Sequence, residues 1–366
     1  MSRSNEHVIS AVPSASARGL PVDWELARRT ATRLVPSGPD VEPSVAIELV
    51  ERLRADAAVA EGHVRDVTGL GSGLPLLPAD VVDRPAWAAA ALHGMATLTA
   101  DARLPLAETM EGARGRVAKG ARVVTRGAAG LQVGALVAYL GGRVLGQYDP
   151  FGGPGGEGRL LLVAPNIHAA RQALDVDAAE FGMWVCLHEA THRLQFTAVP
   201  WMRDYFSGEV SRFLSTPPQN ANVMERLPEL VKAVRTSGAD SLALVELLHG
   251  PEQRAVLDRL LALTTLLEGH ADHVMDAAGP GVVPSVETIR ARFTARRRGG
   301  GLIDRLLRAL LGVEAKVKQY AVGAEFTRHV VGAVGMDGFN QAWASPETLP
   351  TRAELAEPDA WLRRVP

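Results

Sequence analysis

Apolar and polar residues alternate along most of the chain with the period of amphipathic α-helices. From Val22 to Ala121 the sequence is rich in alanine, leucine and arginine, and prolines at positions 36, 43, 75, 78 and 85 interrupt it. Proline suits the first position of a helix but not its interior, so Pro43 is predicted to begin a helix over residues 44–60. Several helices are therefore expected in this part of the chain.

Two short apolar segments have the length and flanking residues of β-strands. They are residues 143–148 (RVLGQY) and 159–164 (RLLLVA), and the ten residues between them read DPFGGPGGEG. A segment so dense in glycine and proline is a turn or loop, across which the two strands could pair. The rest of the chain has no convincing strand signal. The predicted fold class is therefore mainly α with a small β-sheet or hairpin (α+β).

Helical periodicity returns after the second strand. Asn166 can cap a short helix ending near Leu174, and Asp175 or Asp177 can cap a longer helix that runs to about Thr197. Two further helices are predicted in the later part of the chain, at residues 255–277 and 302–326. A polar break at residues 215–222 precedes the first of them, and a loop at residues 296–301 separates the two.

Charge and composition narrow the classes of function. The chain has 366 residues, is 47% hydrophobic and carries a formal net charge of −2, so no nucleic-acid or membrane partner is expected. Two uncharged runs, residues 85–100 and 127–142, fall short of the roughly 20 apolar residues of a membrane-spanning helix and are predicted to be buried helices. The single cysteine, Cys186, cannot form an intrachain disulfide, and a cytoplasmic location is expected.

Residues 188–192 read His-Glu-Ala-Thr-His and form a candidate metal site. On a helix, His188 and His192 project from one face a turn apart, so both imidazoles can bind one ion. Glu189 lies about 100° round the helix, where its carboxylate can sit beside the ion without binding it. This HExxH pattern predicts a zinc (Zn2+) site in which Glu189 is the general base for a zinc-activated water.

A catalytic zinc ion usually has three protein ligands and one open position. A further histidine six residues after His192 is ruled out, because position 198 is alanine. The segment LLEGHADH at residues 266–273 offers Glu268 as the third ligand. Asp272, one turn later, can accept a hydrogen bond from the far nitrogen of a ligand histidine. This Glu-x-x-x-Asp pattern resembles that of the gluzincin metallopeptidases.

Three neighbouring residues have competing interpretations. His270 and His273 are the alternatives to Glu268 as third ligand, and one of them could instead line the cleft and stabilise an oxyanion. On a helix, His270 points roughly opposite to Glu268 and His273 lies about 140° round from it. Cys186 points away from the predicted metal face and is expected to be a small buried apolar group.

The sequence also resembles the zincin-like proteins of actinobacteria and their relatives, which are often labelled as hydrolases or as associated with biosynthesis of the deazaflavin coenzyme. The resembling segments are spread over most of the chain: VLGQYDP (144–150), VAPN (163–166), HEATHRLQF (188–196), AVPW (198–201), LLEGHADHVMD (266–276), KQY (318–320) and PETLP (346–350). The resemblance implies a mostly helical, zincin-like metallopeptidase fold and a zinc site. The coenzyme label reflects genomic association and implies no reaction.

These motifs predict a cytoplasmic zinc metallopeptidase that hydrolyses an amide or peptide bond. Residues 159–164 are the candidate edge strand for an extended peptide substrate. Two alternatives stay open: an amide hydrolase acting on a small metabolite, and a zincin-like scaffold that binds a partner and has a structural metal or no activity. Glu189 argues against the scaffold, because a purely structural site has no use for a general base.

The predicted organisation of the chain follows from these assignments. Residues 1–20 form a polar tail without an apolar stretch of signal-peptide length. Residues 21–125 form a helical N-terminal region and residues 126–366 the zincin-like catalytic region, although residues 21–366 could form one compact domain.

Overall fold

Helices dominate the part of the chain that the structure describes, as predicted, and a small sheet accompanies them there. The computed structural model describes residues 19–102, 116–153, 156–216, 250–298 and 313–365. Within these ranges the longer helices are α1 (Trp24–Leu34), α2 (Pro43–Thr68), α3 (Arg84–Leu98), α4 (Arg116–Gly141), α5 (Ala164–Leu174), α6 (Ala178–Thr197), α7 (Met202–Ser215), α8 (Pro251–Val282), α9 (Val286–Arg298) and α10 (Val313–Phe339). Two short helices, α11 (Arg352–Ala356) and α12 (Pro358–Arg364), follow two 3-10 turns, and the strands are β1 (Ala79–Val82), β2 (Gly146–Asp149) and β3 (Arg159–Val163).

The sheet has the strand order β1-β3-β2. The two predicted strands pair antiparallel, with Gly146 opposite Leu162. β1, which the sequence analysis missed, pairs parallel with β3. The proposal of residues 159–164 as an edge strand is wrong, because β3 is the central strand and its apolar side chains are buried. The described edge that lies beside α6 is β2.

Local sequence signals explain where several helices begin and end. Pro43 is the first residue of α2, as predicted, but the helix continues beyond residue 60 to Thr68 and ends at Gly69 in the left-handed conformation (φ 70°). Asp177 caps α6 by accepting hydrogen bonds from the backbone N–H groups of Ala179 and Glu180. The helix that carries the HExxH motif is therefore confirmed over its predicted length.

Asn166 does not cap a helix, contrary to the prediction, because α5 already begins at Ala164. Its buried side chain instead donates to the carbonyl oxygens of Gly141 (2.8 Å) and Val144 (2.7 Å) and accepts a hydrogen bond from Nε of Arg84 (2.6 Å). A buried amide must satisfy its donors and acceptor, and here it does so by tying α3 and the end of α4 to α5.

The other predicted segments fall as follows. Residues 255–277 lie within α8, and the uncharged runs 85–100 and 127–142 fall almost wholly within α3 and α4. The predicted loop 296–301 begins as helix, since α9 continues to Arg298, and residues 299–301 lie outside the described ranges. The predicted helix 302–326 is described only from Val313, and α10 extends it to Phe339. No helix in the described ranges is long and apolar enough to cross a membrane.

Helix α6 lies between α2 and α8, where two buried apolar clusters meet. One cluster joins the first part of α6 to α2, β3 and α5, and the other joins α7, α8 and α10. A buried ion pair also ties α6 to α2, because Nη2 of Arg193 lies 2.8 Å from Oε2 of Glu61. An ion pair so deeply buried needs this close geometry to offset the desolvation of both charges.

The crossing of α8 and α10 is close enough to exclude any side chain at its centre. A Cβ atom placed on Gly269 of α8 would lie 2.0 Å from the carbonyl carbon of Gly323 on α10, and one placed on Gly323 would lie 2.2 Å from the carbonyl oxygen of Thr265. Two glycines therefore bring the two helix backbones into contact. Gly269 directly follows Glu268, so this helix crossing also determines the position of the Glu268 backbone, from which the carboxylate side chain extends.

Gly323→Ala is expected to lower the free energy of unfolding by about 1–3 kcal/mol, because the new methyl group must push the two helices apart. The matched control is Gly332→Ala on the exposed side of the same helix, where an added Cβ has no neighbour within 4 Å. That change is expected to stabilise the protein by about 0.5–1 kcal/mol. Urea denaturation of both variants measures the difference, and equal effects would contradict the packing argument.

Candidate metal centre

The candidate ligands lie on a helix that is buried on most of its surface. Twelve of the twenty residues of α6 are buried, including both Glu189 and Gln195. Polar side chains on such a helix must find partners, since burying them without hydrogen bonds or ions costs several kcal/mol. His188, Glu189, His192 and Gln195 each find them toward α8 or β2.

His188, His192 and Glu268 converge on one point. Their potential ligand atoms all lie within 4.8 Å of one another. The two Nε2 atoms are 3.1 Å apart, and Oε2 of Glu268 lies 3.5 Å from the Nε2 of His188 and 3.8 Å from that of His192. The histidine ring planes are nearly perpendicular, at 88°. The structure thus brings together the three residues that the sequence motifs proposed as ligands.

This donor set fits a zinc ion by its chemistry. Two imidazole nitrogens and one carboxylate oxygen are a usual ligand set for catalytic zinc, which keeps a fourth position for water or substrate. The three side chains are only partly buried, with 27%, 16% and 29% of their surfaces exposed for His188, His192 and Glu268 respectively. Solvent can therefore reach each of these side chains.

Glu189 is buried beside this group rather than within it. Its carboxylate accepts a hydrogen bond from the backbone N–H of Tyr148 on β2. Burial raises the pKa of Glu189 to about 7, helped by the nearby Glu268, while His192 and the bond from Tyr148 oppose the shift. A carboxyl group with such a pKa can both accept and release a proton near neutral pH.

The position of Glu189 depends on a glycine in β2. A Cβ atom on Gly146 would lie 2.6 Å from Cγ of Glu189 and 2.8 Å from its Cδ. Only glycine therefore lets the carboxylate side chain lie flat against the strand. Nothing in the sequence around Gly146 marks it as part of the site, because its partner is 43 residues away.

The edge of β2 faces the site through its main-chain groups. The N–H of Val163 donates to the carbonyl of Leu145 (2.8 Å), which makes these residues a hydrogen-bonded pair of the antiparallel ladder. Because such pairs alternate along the strands, Gly146 and Tyr148 belong to the pairs that do not bond across. Their N–H and C=O groups point away from β3, and the N–H of Tyr148 reaches Glu189.

Aromatic side chains form a row next to the ligand group. Phe196, one turn after His192, lies 6.0 Å from the ring of Tyr148 and 6.1 Å from that of Phe206 on α7. Phe206 in turn stacks on Phe151, with ring centroids 6.2 Å apart. Tyr148, Phe196 and Phe206 are only half-buried, so this row offers apolar surface beside the site.

The remaining predicted residues lie on α8. Asp272 has Oδ1 3.6 Å from Nη1 of Arg290 on α9, and its role beside a ligand histidine stays a prediction. His273 is half-buried and is not part of the converging group. Cys186 is fully buried, as predicted.

His270 is not a rival ligand but a buried neighbour. It is fully buried, and its ring stacks on Phe339 with centroids 5.0 Å apart. Burial lowers its pKa to about 3, so the ring is neutral at physiological pH. Its Nδ1 lies 3.0 Å from Nε2 of Gln195. Gln195 was not predicted from the sequence, although its position three residues after His192, on the same face of the helix, was a usable signal.

Comparisons with known proteins agree with this architecture. The family model of zincin-like metallopeptidases matches residues 22–362, so the chain belongs to that family. The chain is also similar to a solved structure described as "a putative hydrolase with a novel fold" from Chloroflexus aurantiacus: identity is 30%, the match covers 94% of this chain and 98% of the other, and the TM-score is 0.63. A search of curated proteins found no match.

The predicted fold class is thereby confirmed: the protein is mainly α, with a small three-stranded sheet, and zincin-like. Family membership and the similar structure support a hydrolase that uses a metal ion. Within the described residues, the group that could hold the ion is formed by His188, His192 and Glu268.

Gly146→Ala is expected to displace the Glu189 side chain while leaving His188, His192 and Glu268 in place. The added methyl group meets the middle of the Glu189 side chain, which is buried and can move only by leaving the strand. A crystal structure of the variant would show the displacement, and metal analysis would show unchanged metal content. An undisturbed Glu189 in that structure would refute the packing role of Gly146.

Proposed function

We propose that this protein is a zinc-dependent hydrolase that cleaves an amide bond, most naturally that of a peptide. The observation that carries the proposal is the convergence of His188, His192 and Glu268 with the buried carboxyl group of Glu189 next to them. When bound by such a set, zinc lowers the pKa of a coordinated water to about 7 and polarises a carbonyl oxygen.

The protein's own residues then have separate tasks. His188, His192 and Glu268 would hold the ion, and Glu189 would act as the general base. Its carboxylate takes a proton from the attacking water and passes that proton to the departing nitrogen. The backbone N–H of Tyr148 and the flat surface of Gly146 keep the carboxylate aimed at the site. Asp272 is proposed to support His188, since the far nitrogen of His192 already contacts Gln195.

The surroundings of the site favour a peptide with apolar side chains as substrate. Gly146 directs its N–H and C=O groups outward from the edge of β2, as Tyr148 does its C=O group, and an extended peptide can pair with main-chain groups at such an edge. The half-buried aromatic row of Tyr148, Phe196 and Phe206 supplies apolar surface for the substrate's side chains. The single, buried cysteine suits a reducing compartment, and we propose that the enzyme acts in the cytoplasm.

The ligand set predicts a metal content of about one zinc ion per chain, and Glu268→Ala should sharply reduce it. Removing the carboxylate leaves two histidines, which bind zinc much more weakly than three ligands. Mass spectrometry of proteins purified side by side without added zinc measures the content. The matched control is Glu252→Ala, an exposed acid in the first turn of the same helix, which should keep the metal. Full retention of zinc in Glu268→Ala would place the third ligand elsewhere.

Glu189→Gln should retain the zinc ion but lower the rate of hydrolysis by about 10²–10⁴-fold, because the amide has nearly the same shape as the carboxylate but cannot accept the proton. The assay is cleavage of a quenched fluorescent peptide library by the zinc-loaded enzyme. Equal turnover in the variant and the wild type would refute the base. A wild type that binds zinc but cleaves no peptide, while hydrolysing small amides, would favour a metabolite hydrolase instead.

A further inference from the structure

We infer that Gln195 is a positioning residue: its side-chain amide sets the tautomer of His192 and locks α8 to α6 at the level of Glu268. This inference rests on the proposed metal site. Gln195 is fully buried and lies one turn after His192, so its amide group must satisfy its hydrogen bonds inside the protein.

The orientation of the Gln195 amide follows from its contact with α8. Its Nε2 lies 2.9 Å from the backbone carbonyl oxygen of Leu267. A carbonyl oxygen can only accept a hydrogen bond, so the amide nitrogen, which is the donor, must face α8. The amide oxygen Oε1 then necessarily faces His192, whose Nδ1 is 2.9 Å away.

This orientation determines the tautomer of the His192 ring. Because Oε1 of Gln195 is only an acceptor, Nδ1 of His192 must carry the hydrogen and donate it. A neutral imidazole has one protonated nitrogen, so Nε2 of His192 keeps its lone pair. That lone pair is on the atom that faces His188 and Glu268, at 3.1 Å and 3.8 Å. His192 is thereby held in the form that binds a metal ion.

The same amide holds α8 in register. Its second N–H points to Nδ1 of His270 at 3.0 Å, which must therefore be an acceptor. Leu267 and His270 lie on either side of Glu268 along α8. One side chain of α6 thus binds α8 immediately before and shortly after the third ligand. The stacking of His270 on Phe339 of α10 holds the His270 ring in place for its contact with Gln195.

Two variants separate the two tasks of Gln195. Gln195→Leu removes all three hydrogen bonds. Gln195→Glu can still accept from Nδ1 of His192, but as a carboxylate it cannot donate to Leu267 or His270. The matched control is Gln253→Leu on α8, which removes another buried amide whose Nε2 bonds backbone carbonyls of Phe213 and Thr216, far along the helix from Glu268.

The first measurement is the zinc dissociation constant of the full chain, by competition with a chromophoric chelator. Gln195→Leu is expected to weaken zinc binding by about 10–100-fold, the usual effect of losing a group that orients a ligand. Gln253→Leu should lower the melting temperature but leave zinc affinity unchanged. Unchanged affinity in Gln195→Leu, or an equal loss in both variants, would overturn the inference.

The second measurement is the tautomer of His192 in the metal-free protein, from the ¹⁵N shifts of its ring. Wild type and Gln195→Glu should show hydrogen on Nδ1, and Gln195→Leu a mixture. Hydrogen on Nε2 in the wild type would overturn the inference even if a variant does not fold. This measurement needs neither zinc nor substrate. A wild type that binds no zinc would contradict the proposed function, whereas the position of the hydrogen on the His192 ring tests the role of Gln195 separately.

Discussion

The site depends on the contact between α6 and α8. HExxH supplies two of the proposed ligands from one helix, but the proposed third ligand comes from a segment 76 positions further along the chain. Glu268 reaches the histidines because α8 lies against α6 and is held there by the buried amide of Gln195. The Gly269–Gly323 crossing supports α8 from its other side, by letting α10 approach to backbone contact.

The burial of α6 connects stability to chemistry. A helix enclosed by α2, β2 and α8 keeps several of its polar side chains away from bulk water, so each of these side chains needs an internal partner. Arg193 finds Glu61, Gln195 finds α8, and Glu189 finds the backbone of Tyr148. The same burial that makes these contacts obligatory raises the pKa of Glu189 to about 7. Burial of the helix therefore gives Glu189, the residue proposed to transfer the proton, a pKa near neutral pH.

The sheet is small, yet its topology defines one side of the site. β3 is paired on both sides and buried, so it serves as the support on which β2 is placed. The ladder directs the main-chain groups of Gly146 and Tyr148 outward, toward Glu189. Glycine at position 146 allows β2 and the Glu189 side chain of α6 to come into contact. The geometry of the proposed base thus depends on a strand that contributes no catalytic side chain.

The sequence by itself determined the features that are local. Helical periodicity, an N-cap at Asp175 or Asp177 and the spacing of His188 and His192 depend on residues within a turn or two of each other. The structure shows the periodicity and the spacing, and of the two candidate caps it selects Asp177. The tertiary structure alone decided that β3 is central, that Asn166 braces three helices rather than capping one, and that His270 meets Gln195. Those contacts join residues far apart in the chain, and they are set by packing and by the need of buried polar groups for partners, which no local pattern records.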